Sequence, residues 1–458
     1  MVYEMRSETI NVLVLSHTGR LLGGAEMSML DVFDTLADKY NVKPEFILRE
    51  PVMGLAGAIR KRGWKYHALG YTFWSDGNPP TKPDDIYRNA RQNIDAIKSI
   101  EQIIKKTKPD IVMTNSIVCP WAGIAARNQS KPHVWFVREY GDLDHGRIFE
   151  LGREKTMSDV DNMSNLVVTI SKSLRSHLIK YMPEKKVTVL YNPFKIDDII
   201  KKSKSPAPNP FKRKSSLKLV IAGNLAPSKG QLEAVKAVGR LVKDGHDVEL
   251  CAVGKEGEPD FNYQMEAVIK ENKLEKRIHL VGFQDNLLAY VKFADVGIMA
   301  SRKEGFGRVT FEYLVLGKPV VGANSGATPE MVDDGHNGYL FKNGDVASLA
   351  RAIEHYAKDK SLIATHSDAS KTKATELMSG SNNIDALYKR LSVVKNEKPT
   401  SSTKNLHIIK KLQDNLKLAT QHTKTHDSLK QKVRSKARAQ VKKYYHKTRS
   451  LKARITGK

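Results

Sequence analysis

Short apolar runs alternate with longer helical patterns along most of the chain, and this alternation limits the possible folds more than any other feature. The first run, "INVLVLS", covers residues 10–16 and precedes a glycine-containing loop and a helical pattern that ends near residue 39. Regular alternation of strand and helix predicts a parallel sheet with helices on both faces. Further strand-like runs in the first half are "EFIL", "IVMTN", "HVWFV" and "LVVTI", which begin at residues 45, 111, 133 and 166.

The alternation stops at a stretch rich in proline and lysine, "KKSKSPAPNPFKRKSS", and then starts again with "LKLVIAG", "DVELCAVG", "IHLVGF", "VGIMAS" and "PVVGA". We therefore predict an α/β protein of two doubly wound, Rossmann-like domains that face a cleft, with ligands at the carboxyl ends of the strands. The predicted parts are a first domain over 1–200, a linker over 201–216, a second domain over 217–375, a helix over 376–398 that packs back on the first domain, and a basic tail over 399–458.

The positive charge of the chain is concentrated at its C-terminal end. The formal net charge is +26 on 458 residues, and from residue 396 onward there are about 18 Lys and Arg against about 3 acids. Apolar residues recur there at helical spacing, which predicts two basic amphipathic helices of the kind that bind anionic membrane surfaces. The tail has few aromatic residues for base stacking, which argues against a nucleic-acid partner. The apolar positions are Leu406, Ile409, Leu412 and Leu416, and then Val433, Ala437, Val441, Tyr444, Leu451 and Ile455.

The lack of long apolar runs and of a cysteine pattern limits the cellular compartments that the sequence predicts. No apolar run is long enough for a signal peptide or a membrane span. The two cysteines, Cys119 and Cys251, lie far apart and form no metal-ligand pattern, so a disulfide framework is not expected. The sequence predicts a cytoplasmic protein that is peripheral on the inner face of the plasma membrane.

The stretch "SRKEGFGRVTFEYLVLGKP" places a carboxylate inside a mostly apolar helix. The helix is predicted to begin near Gly307 and to end at Gly317, and its free N–H groups and dipole suit a phosphate. Glu312 lies inside the helix, where a buried carboxylate needs partners, and the two hydroxyls of a ribose would supply them. Glu304, on the preceding loop, would face what lies beyond the phosphates. The alternative is a partly exposed helix residue at Glu312 and an ordinary loop charge at Glu304.

These residues, with "GKPVV", "SGATPE" and "DGHNGYL" after them, resemble the retaining glycosyltransferases of the GT-B fold, in the large family four, over roughly residues 10–392. The resemblance implies a nucleoside-diphosphate sugar as donor, no cofactor and no metal. It implies that Glu312 binds the ribose, that Glu304 contacts the sugar, and that backbone amides meet the diphosphate. The donor-binding residues it implies are Gly23, Gly24, Asn224, Lys229, Gly305, Phe306, Gly307, Val309, Thr310 and Glu312.

Two positions in the matching segments differ from the usual pattern of the family. In "VIAGNLAPSKGQ", Lys229 would neutralise the leaving diphosphate, or else be a solvated loop lysine, but Asn224 stands where the family commonly has Arg. In "HVWFVREYGDLDHG", Arg138 stands where family members often have His. An arginine stabilises negative charge but is not a base at neutral pH. The resemblance therefore gives Glu304, Lys229 and Arg138 as catalytic candidates.

The loop after Arg138 carries the acceptor-side candidates Glu139, Asp142 and His145. His145 is either an acceptor contact or a loop histidine with local partners. The triplet "DLD" is similar to the metal motif of the other glycosyltransferase fold, but it lies in the wrong domain for a donor metal. The resemblance thus implies transfer of a sugar to a cell-envelope polysaccharide, a teichoic-acid-like polymer or a lipid-linked acceptor. The alternatives are a non-catalytic binder of nucleotide sugar or nucleic acid, and another GT-B enzyme such as a phosphorylase.

Overall fold

The structure of the chain is a computed structural model, and it describes residues 8–21, 23–144, 146–257, 259–380, 383–398 and 405–417. Strands and helices alternate in the first half. Its strands are β1 (Ile10–Ser16), β2 (Val42–Arg49), β3 (Lys65–Leu69), β4 (Ser75–Asp76), β5 (Ile111–Asn115), β6 (His133–Val137), β7 (Ile148–Phe149), β8 (Leu166–Thr169) and β9 (Val187–Val189). Its helices are α1 (Gly24–Tyr40), α2 (Leu55–Lys61), α3 (Pro83–Thr107), α4 (Trp121–Asn128), α5 (Arg153–Met163), α6 (Lys172–Leu178) and α7 (Ile196–Ser203).

The first sheet has the strand order β3-β2-β1-β5-β6-β8-β9, and neighbouring strands run parallel. Every residue of β5 and β6 is buried, as expected for strands that helices cover on both faces. The carboxyl ends of these parallel strands meet at one edge of the sheet. The loops after β1, β5 and β6 therefore lie together at this edge.

The second half repeats the arrangement with the order β12-β11-β10-β13-β14-β15, again parallel between neighbours. The predicted α/β class with two Rossmann-like sheets and a helical C-terminal part is confirmed. The strands are β10 (Leu217–Ala222), β11 (Val248–Val253), β12 (Ile278–Gly282), β13 (Val296–Met299), β14 (Val320–Ala323) and β15 (Gly338–Phe341). The helices are α8 (Gln231–Lys243), α9 (Pro259–Glu271), α10 (Leu288–Val291), α11 (Arg308–Val315), α12 (Thr328–Met331), α13 (Val346–Lys358), α14 (Ser361–Ser379) and α15 (Ile384–Val394).

The connection between the two halves is held against the second sheet. Helix α7 occupies the first residues of the predicted linker and packs against α10 and α11. The Glu249 carboxylate of β11 accepts hydrogen bonds from the backbone N–H groups of Lys212 and Arg213, at 3.0 and 2.9 Å. It also accepts a bond of 2.7 Å from the Ser216 hydroxyl. A buried carboxylate with these donors fixes the path of the stretch 212–216.

The chain returns to the first domain after α14. Helix α14 packs against α11 of the second domain, whereas α15 packs against α1 of the first. The Tyr40 and Tyr388 rings stack with centroids 4.0 Å apart, and Lys39 pairs with Asp385 at 2.6 Å. The two halves are thus joined by two passages of the backbone.

A further helix, residues 407–417, docks on the first domain, and we call it the docking helix. Its apolar residues Ile408 and Leu412, and Leu406 directly before it, are buried in the core of that domain. The Asp159 carboxylate of α5 is fully buried and accepts hydrogen bonds from the backbone N–H groups of His407 and Ile408, at 3.0 and 2.8 Å. It therefore caps the docking helix in the way that an N-cap side chain does.

The docking helix corresponds to the first amphipathic helix predicted for the tail. Its apolar side packs against the protein itself, so that side is not free for a bilayer. The second predicted tail helix, between Val433 and Ile455, lies outside the described residues. Among the described helices, none combines the length and the apolar character needed to cross a membrane.

Candidate active site

A cavity of about 170 Å³ lies where β10 and β13 end. Because both strands are parallel, their following loops meet there and supply polar side chains and backbone N–H groups. The cavity is lined by Ile221, Ala222, Gly223, Lys229, Ile298, Met299, Ala300, Ser301, Glu304, Gly307, Arg308 and Val309.

The loop after β10 brings Lys229 into this cavity. A short 3₁₀ turn, Pro227–Lys229, presents the side chain, whose Nζ lies 2.6 Å from Glu304 Oε1. Asn224, on the same loop, is exposed, and its backbone carbonyl accepts a hydrogen bond from Gln231 at 3.0 Å. The two catalytic candidates of the second domain, Lys229 and Glu304, thus form an ion pair.

The loop after β13 leads into α11 and contains two glycines, Gly305 and Gly307, which are required for different structural reasons. A Cβ on Gly305 would lie 2.5 Å from the carbonyl oxygen of Arg138, so only glycine lets this loop approach the first domain so closely. Gly307 has a φ of +91° directly before α11, a conformation that favours glycine. Between them, Phe306 is buried against Tyr191 and Phe194. The first N–H groups of α11 have no helical partners and suit an anion.

Glu312 lies within α11 and is only 8 % exposed. Burial raises the pKa of Glu312 above its usual value, and the positive charge of Arg308 opposes this rise. Arg308 Nε lies 3.2 Å from Glu312 Oε1. The Thr310 hydroxyl of the same helix is buried and has no hydrogen-bond partner among the described residues. Helix α11 therefore carries a carboxylate and a hydroxyl that have hydrogen-bonding capacity left for a ligand.

The first domain contributes the glycine pair after β1. Gly23 and Gly24 stand at the start of α1, and the Gly23 N–H donates to Glu26 Oε2 at 2.9 Å. Burial acts to raise the pKa of Glu26, but the hydrogen bonds from His17 and the backbone outweigh it and hold the pKa below its usual value. A Cβ on Gly24 would lie 3.4 Å from the Arg308 side chain, which shows how closely α1 and α11 approach.

Arg138 follows β6 and is buried among amides of the first domain. Its Nε donates to Asn115 Oδ1 at 2.6 Å, and its Nη1 donates to Asn192 Oδ1 at 3.1 Å. Burial lowers the pKa of Arg138 to about 10, so the guanidinium stays charged at neutral pH. Arg138 thus holds a fixed positive charge beside the loop of Gly305.

The acceptor-side candidates Glu139 and Asp142 have partners within the first domain. Glu139 accepts hydrogen bonds from the Ser116 hydroxyl and, at 2.8 Å, from the Ile117 N–H. Asp142 pairs with Arg153 at 2.6 Å, and Asp144 accepts a bond of 2.6 Å from the Tyr140 N–H. These carboxylates shape the loop that faces the cleft. His145 lies outside the described residues.

Sequence reasoning missed two residues of the second domain that contact the first, although both lie within the matching motifs: Arg308 at the cavity and Glu330 on α12. Arg308 stands four residues before Glu312, a spacing at which helical side chains pair. Glu330, in "SGATPE", accepts hydrogen bonds from the N–H groups of Lys172 and Ser173 at 2.9 and 2.7 Å, and from the Tyr191 hydroxyl at 2.9 Å. Both side chains reach from the second domain to the first, which local spacing does not reveal.

Comparison with known proteins agrees with this arrangement. Residues 52–198 match the family model described as Glycosyltransferase Family 4, and residues 203–374 match the model described as Glycosyl transferases group 1. The chain belongs to the glycosyltransferases of the GT-B fold. In this glycosyltransferase, the cavity, Lys229 and the Glu304–Glu312 motif all lie in the half that matches group 1.

Two bacterial relatives illustrate the similarity. This glycosyltransferase is 29 % identical to the N-acetyl-alpha-D-glucosaminyl L-malate synthase of Bacillus anthracis over 43 % of this chain and 52 % of that protein. It is 28 % identical to the poly(glycerol-phosphate) alpha-glucosyltransferase of Bacillus subtilis (strain 168) over 52 % of this chain and 36 % of that protein. The alignments thus span about half and about a third of these relatives' own lengths.

Solved structures show the same fold at lower identity. Anabaena Alr3699/HepE in complex with UDP superposes with a TM-score of 0.64 at 19 % identity, covering 84 % of this chain and 99 % of that chain. TarM superposes with a TM-score of 0.62 at 12 % identity, covering 85 % of this chain and 99 % of that chain. At these identities the likeness concerns the fold alone.

Proposed function

We propose that the protein transfers a sugar, with retention at the anomeric carbon, from a nucleoside-diphosphate sugar to a cell-envelope polysaccharide, a teichoic-acid-like polymer or a lipid-linked acceptor. The observation that carries the proposal is one cavity lined by Lys229, Glu304 and the start of α11, with Glu312 further along the same helix. A cation and free N–H groups suit a diphosphate, and an anion one and a half turns further along suits a ribose. The named activity of the Bacillus subtilis relative and the UDP-bound neighbour agree in chemical class.

The proposed mechanism depends on positioning and fixed positive charge. The bond between the anomeric carbon and the diphosphate oxygen breaks, and an acceptor oxygen forms a bond to the same face of that carbon. The acceptor proton passes to the leaving diphosphate, so no protein nucleophile takes part. Lys229 and the first N–H groups of α11 stabilise the charge that develops on the diphosphate. Arg138 adds a positive charge from the first domain.

No metal is assigned a part in this reaction. Lys229 and backbone N–H groups can meet the phosphate charge, and Asp142 of the "DLD" triplet already pairs with Arg153. Activity is therefore expected to survive chelation by EDTA. A strict requirement for Mg²⁺ or Mn²⁺ would instead assign a metal to the site.

The function is tested by incubating the purified protein with UDP-, GDP- and ADP-sugars, with and without poly(glycerol phosphate) or a lipid-linked glycan. We expect release of one nucleoside diphosphate that increases with acceptor, and a product whose anomeric proton has the configuration of the donor by NMR. Tight binding of a nucleotide sugar without any release would identify a non-catalytic binder. A product of inverted configuration would refute retention.

The basic segment after the docking helix is proposed to attract anionic membrane surfaces from the cytoplasmic side. Each Lys or Arg near such a surface contributes at most about 1 kcal/mol, so many together suffice for salt-sensitive binding. Because Leu406, Ile408 and Leu412 are buried in the first domain, the docking helix acts as the anchor of this segment on the protein. The two roles can be separated by truncation.

Two truncations are expected to behave differently. Ending the chain after Lys417 removes the basic segment and should abolish salt-sensitive sedimentation with anionic vesicles while leaving the thermal unfolding temperature unchanged. Ending it after Lys398 also removes the docking helix, exposes the apolar surface beneath it and should lower the unfolding temperature by several degrees. Equal unfolding temperatures, or vesicle binding that persists in the shorter chains, would contradict the assignment. Turnover with a short soluble acceptor should persist after the first truncation.

A further inference from the structure

Arg308 occupies the first position of α11 and joins the two domains at the donor cavity. Its Nη1 lies 3.3 Å from Asp31 Oδ2 and 3.4 Å from the Ser28 hydroxyl, both on α1 of the first domain. Its Nε lies 3.2 Å from Glu312 Oε1 in its own helix. The guanidinium also lies 4.8 Å from the centroid of the Phe194 ring. One side chain therefore contacts the carboxylate assigned to the ribose and the opposite wall of the cleft.

Because Glu312 is buried, its contact with Arg308 affects whether the carboxylate is ionised. A carboxylate that is buried tends to take up a proton, and a protonated carboxyl group loses part of its capacity to accept hydrogen bonds from two ribose hydroxyls. Burial raises the pKa of Glu312, whereas Arg308 and then Lys202 of α7 oppose the rise. The same two effects act on Asp31: burial raises the pKa of Asp31 above its usual value, and the positive charge of Arg308 opposes this rise. The other charged groups that act on Arg308 or its partners are Asp34, Arg138 and Lys195.

We infer that Arg308 is a positioning residue, which keeps Glu312 ionised and aligned for the ribose of the donor while it is itself held by Asp31 across the cleft. The inference rests on the proposed function, because it takes Glu312 as the ribose contact. It assigns to Arg308 no contact with the reacting atoms. Its action on the donor passes through Glu312 alone.

The test measures the dissociation constant of a nucleoside diphosphate by calorimetry from about pH 6 to about pH 9. The probe is whichever of UDP, GDP and ADP binds the wild-type protein most tightly. For Arg308→Met, the dissociation constant divided by that of wild type should be largest at the acidic end, with an upper limit of about tenfold for each unit by which the substitution raises the pKa of Glu312. It should fall toward the alkaline end, where Glu312 is ionised in both proteins. The ratio cancels the titration of the probe itself.

Three further variants make the result specific. Arg308→Lys keeps a positive charge and should restore most of the acidic-end affinity. In a Glu312→Gln background, which has no carboxylate to titrate, Arg308→Met should add no pH-dependent loss. Arg240→Met, at an exposed position of α8, is the matched control and should bind like wild type. Thermal unfolding of each variant verifies that it is folded.

The outcomes separate the inference from the function on which it rests. If Glu312→Gln binds the probe as tightly as wild type, the ribose contact itself is wrong. If Glu312→Gln is weakened while Arg308→Met matches wild type at every pH, the donor site stands and the role of Arg308 is refuted. A loss in Arg308→Met that is equal at every pH would also refute it, because Arg308 would then act on the nucleotide without Glu312.

Discussion

Replacement of Lys229 by methionine is expected to lower turnover about a hundredfold or more while the protein stays folded. A fixed charge that meets negative charge as it develops in the transition state contributes about this much in other enzymes. Lys229 Nζ is already fixed at the cavity by Glu304, 2.6 Å away, so little reorganisation precedes the reaction. The measurement is the initial rate of nucleoside-diphosphate release at saturating donor and acceptor.

The matched control is Lys236→Met, on the exposed side of α8 and away from the cavity. We expect it to retain the wild-type rate. A Lys229→Met protein with turnover within about twofold of wild type would contradict the assignment of Lys229 to the leaving group. Glu304→Gln should also lower turnover more than it lowers the unfolding temperature, because Glu304 lies at the cavity rather than in a core.

The second large effect concerns the sugar of the nucleotide. If Glu312 accepts hydrogen bonds from both ribose hydroxyls, wild-type protein should bind a ribonucleoside diphosphate about 10- to 100-fold more tightly than its 2′-deoxy analogue. This range corresponds to the loss of a hydrogen bond to a charged group, about 1.5–3 kcal/mol. In Glu312→Ala, binding of the ribonucleotide should weaken, and the difference between the two nucleotides should nearly disappear.

Calorimetry with both nucleotides measures this discrimination directly. Glu266→Ala, at an exposed position of α9, is the matched control and should discriminate as wild type does. Undiminished discrimination in Glu312→Ala would show that another group recognises the 2′-hydroxyl. Because the comparison uses two ligands on one protein, a general loss of stability cannot produce the expected result.

The sequence was sufficient to predict the strands at the centre of each sheet. Strands such as β5, β6 and β11 are buried on both faces and therefore read as continuous apolar runs. Of the four edge strands, β12 is predicted as the run "IHLVGF", whereas β3, β9 and β15 are not predicted. Two of them expose part of their side chains, as in "KYHAL" of β3, and β9 has only three residues. Such strands take their place from pairing with a neighbour, which no local pattern records.

The predicted donor motif lies in one short stretch of the chain, in which Glu304 and Gly307 belong to the loop before α11 and Glu312 belongs to α11. The sequence therefore predicts the loop and the helix from local pattern, whereas the phosphate and ribose contacts come from the resemblance to the family and stay predictions. The contacts between the two domains could not be predicted from local sequence patterns. Arg308 with Asp31, and Glu330 with the start of α6, join residues far apart in sequence. Only the packing of the two domains brings these residues together.

The tail illustrates the same limit in a different way. Periodicity correctly indicated a helix with one apolar side, but a membrane and a protein core attract such a side by the same hydrophobic effect. What decides in favour of the protein core is Asp159, a buried carboxylate on α5 whose position cannot be inferred from the tail. The sequence therefore could not predict whether the apolar side of the docking helix packs on a membrane or on the first domain.

The two backbone passages between the domains have a consequence for how the substrate enters. One passage lies between β9 and α7, and the other lies between Ser379 of α14 and Ile384 of α15. Two bodies tied at two points keep one easy motion, a rotation about the line through both ties. During such a rotation the two domains stay in contact along the axis and separate on the side away from it. If the acceptor is a polymer, as we propose, we expect it to enter from the opposite, open side, where its free end can be extended without passing through the protein.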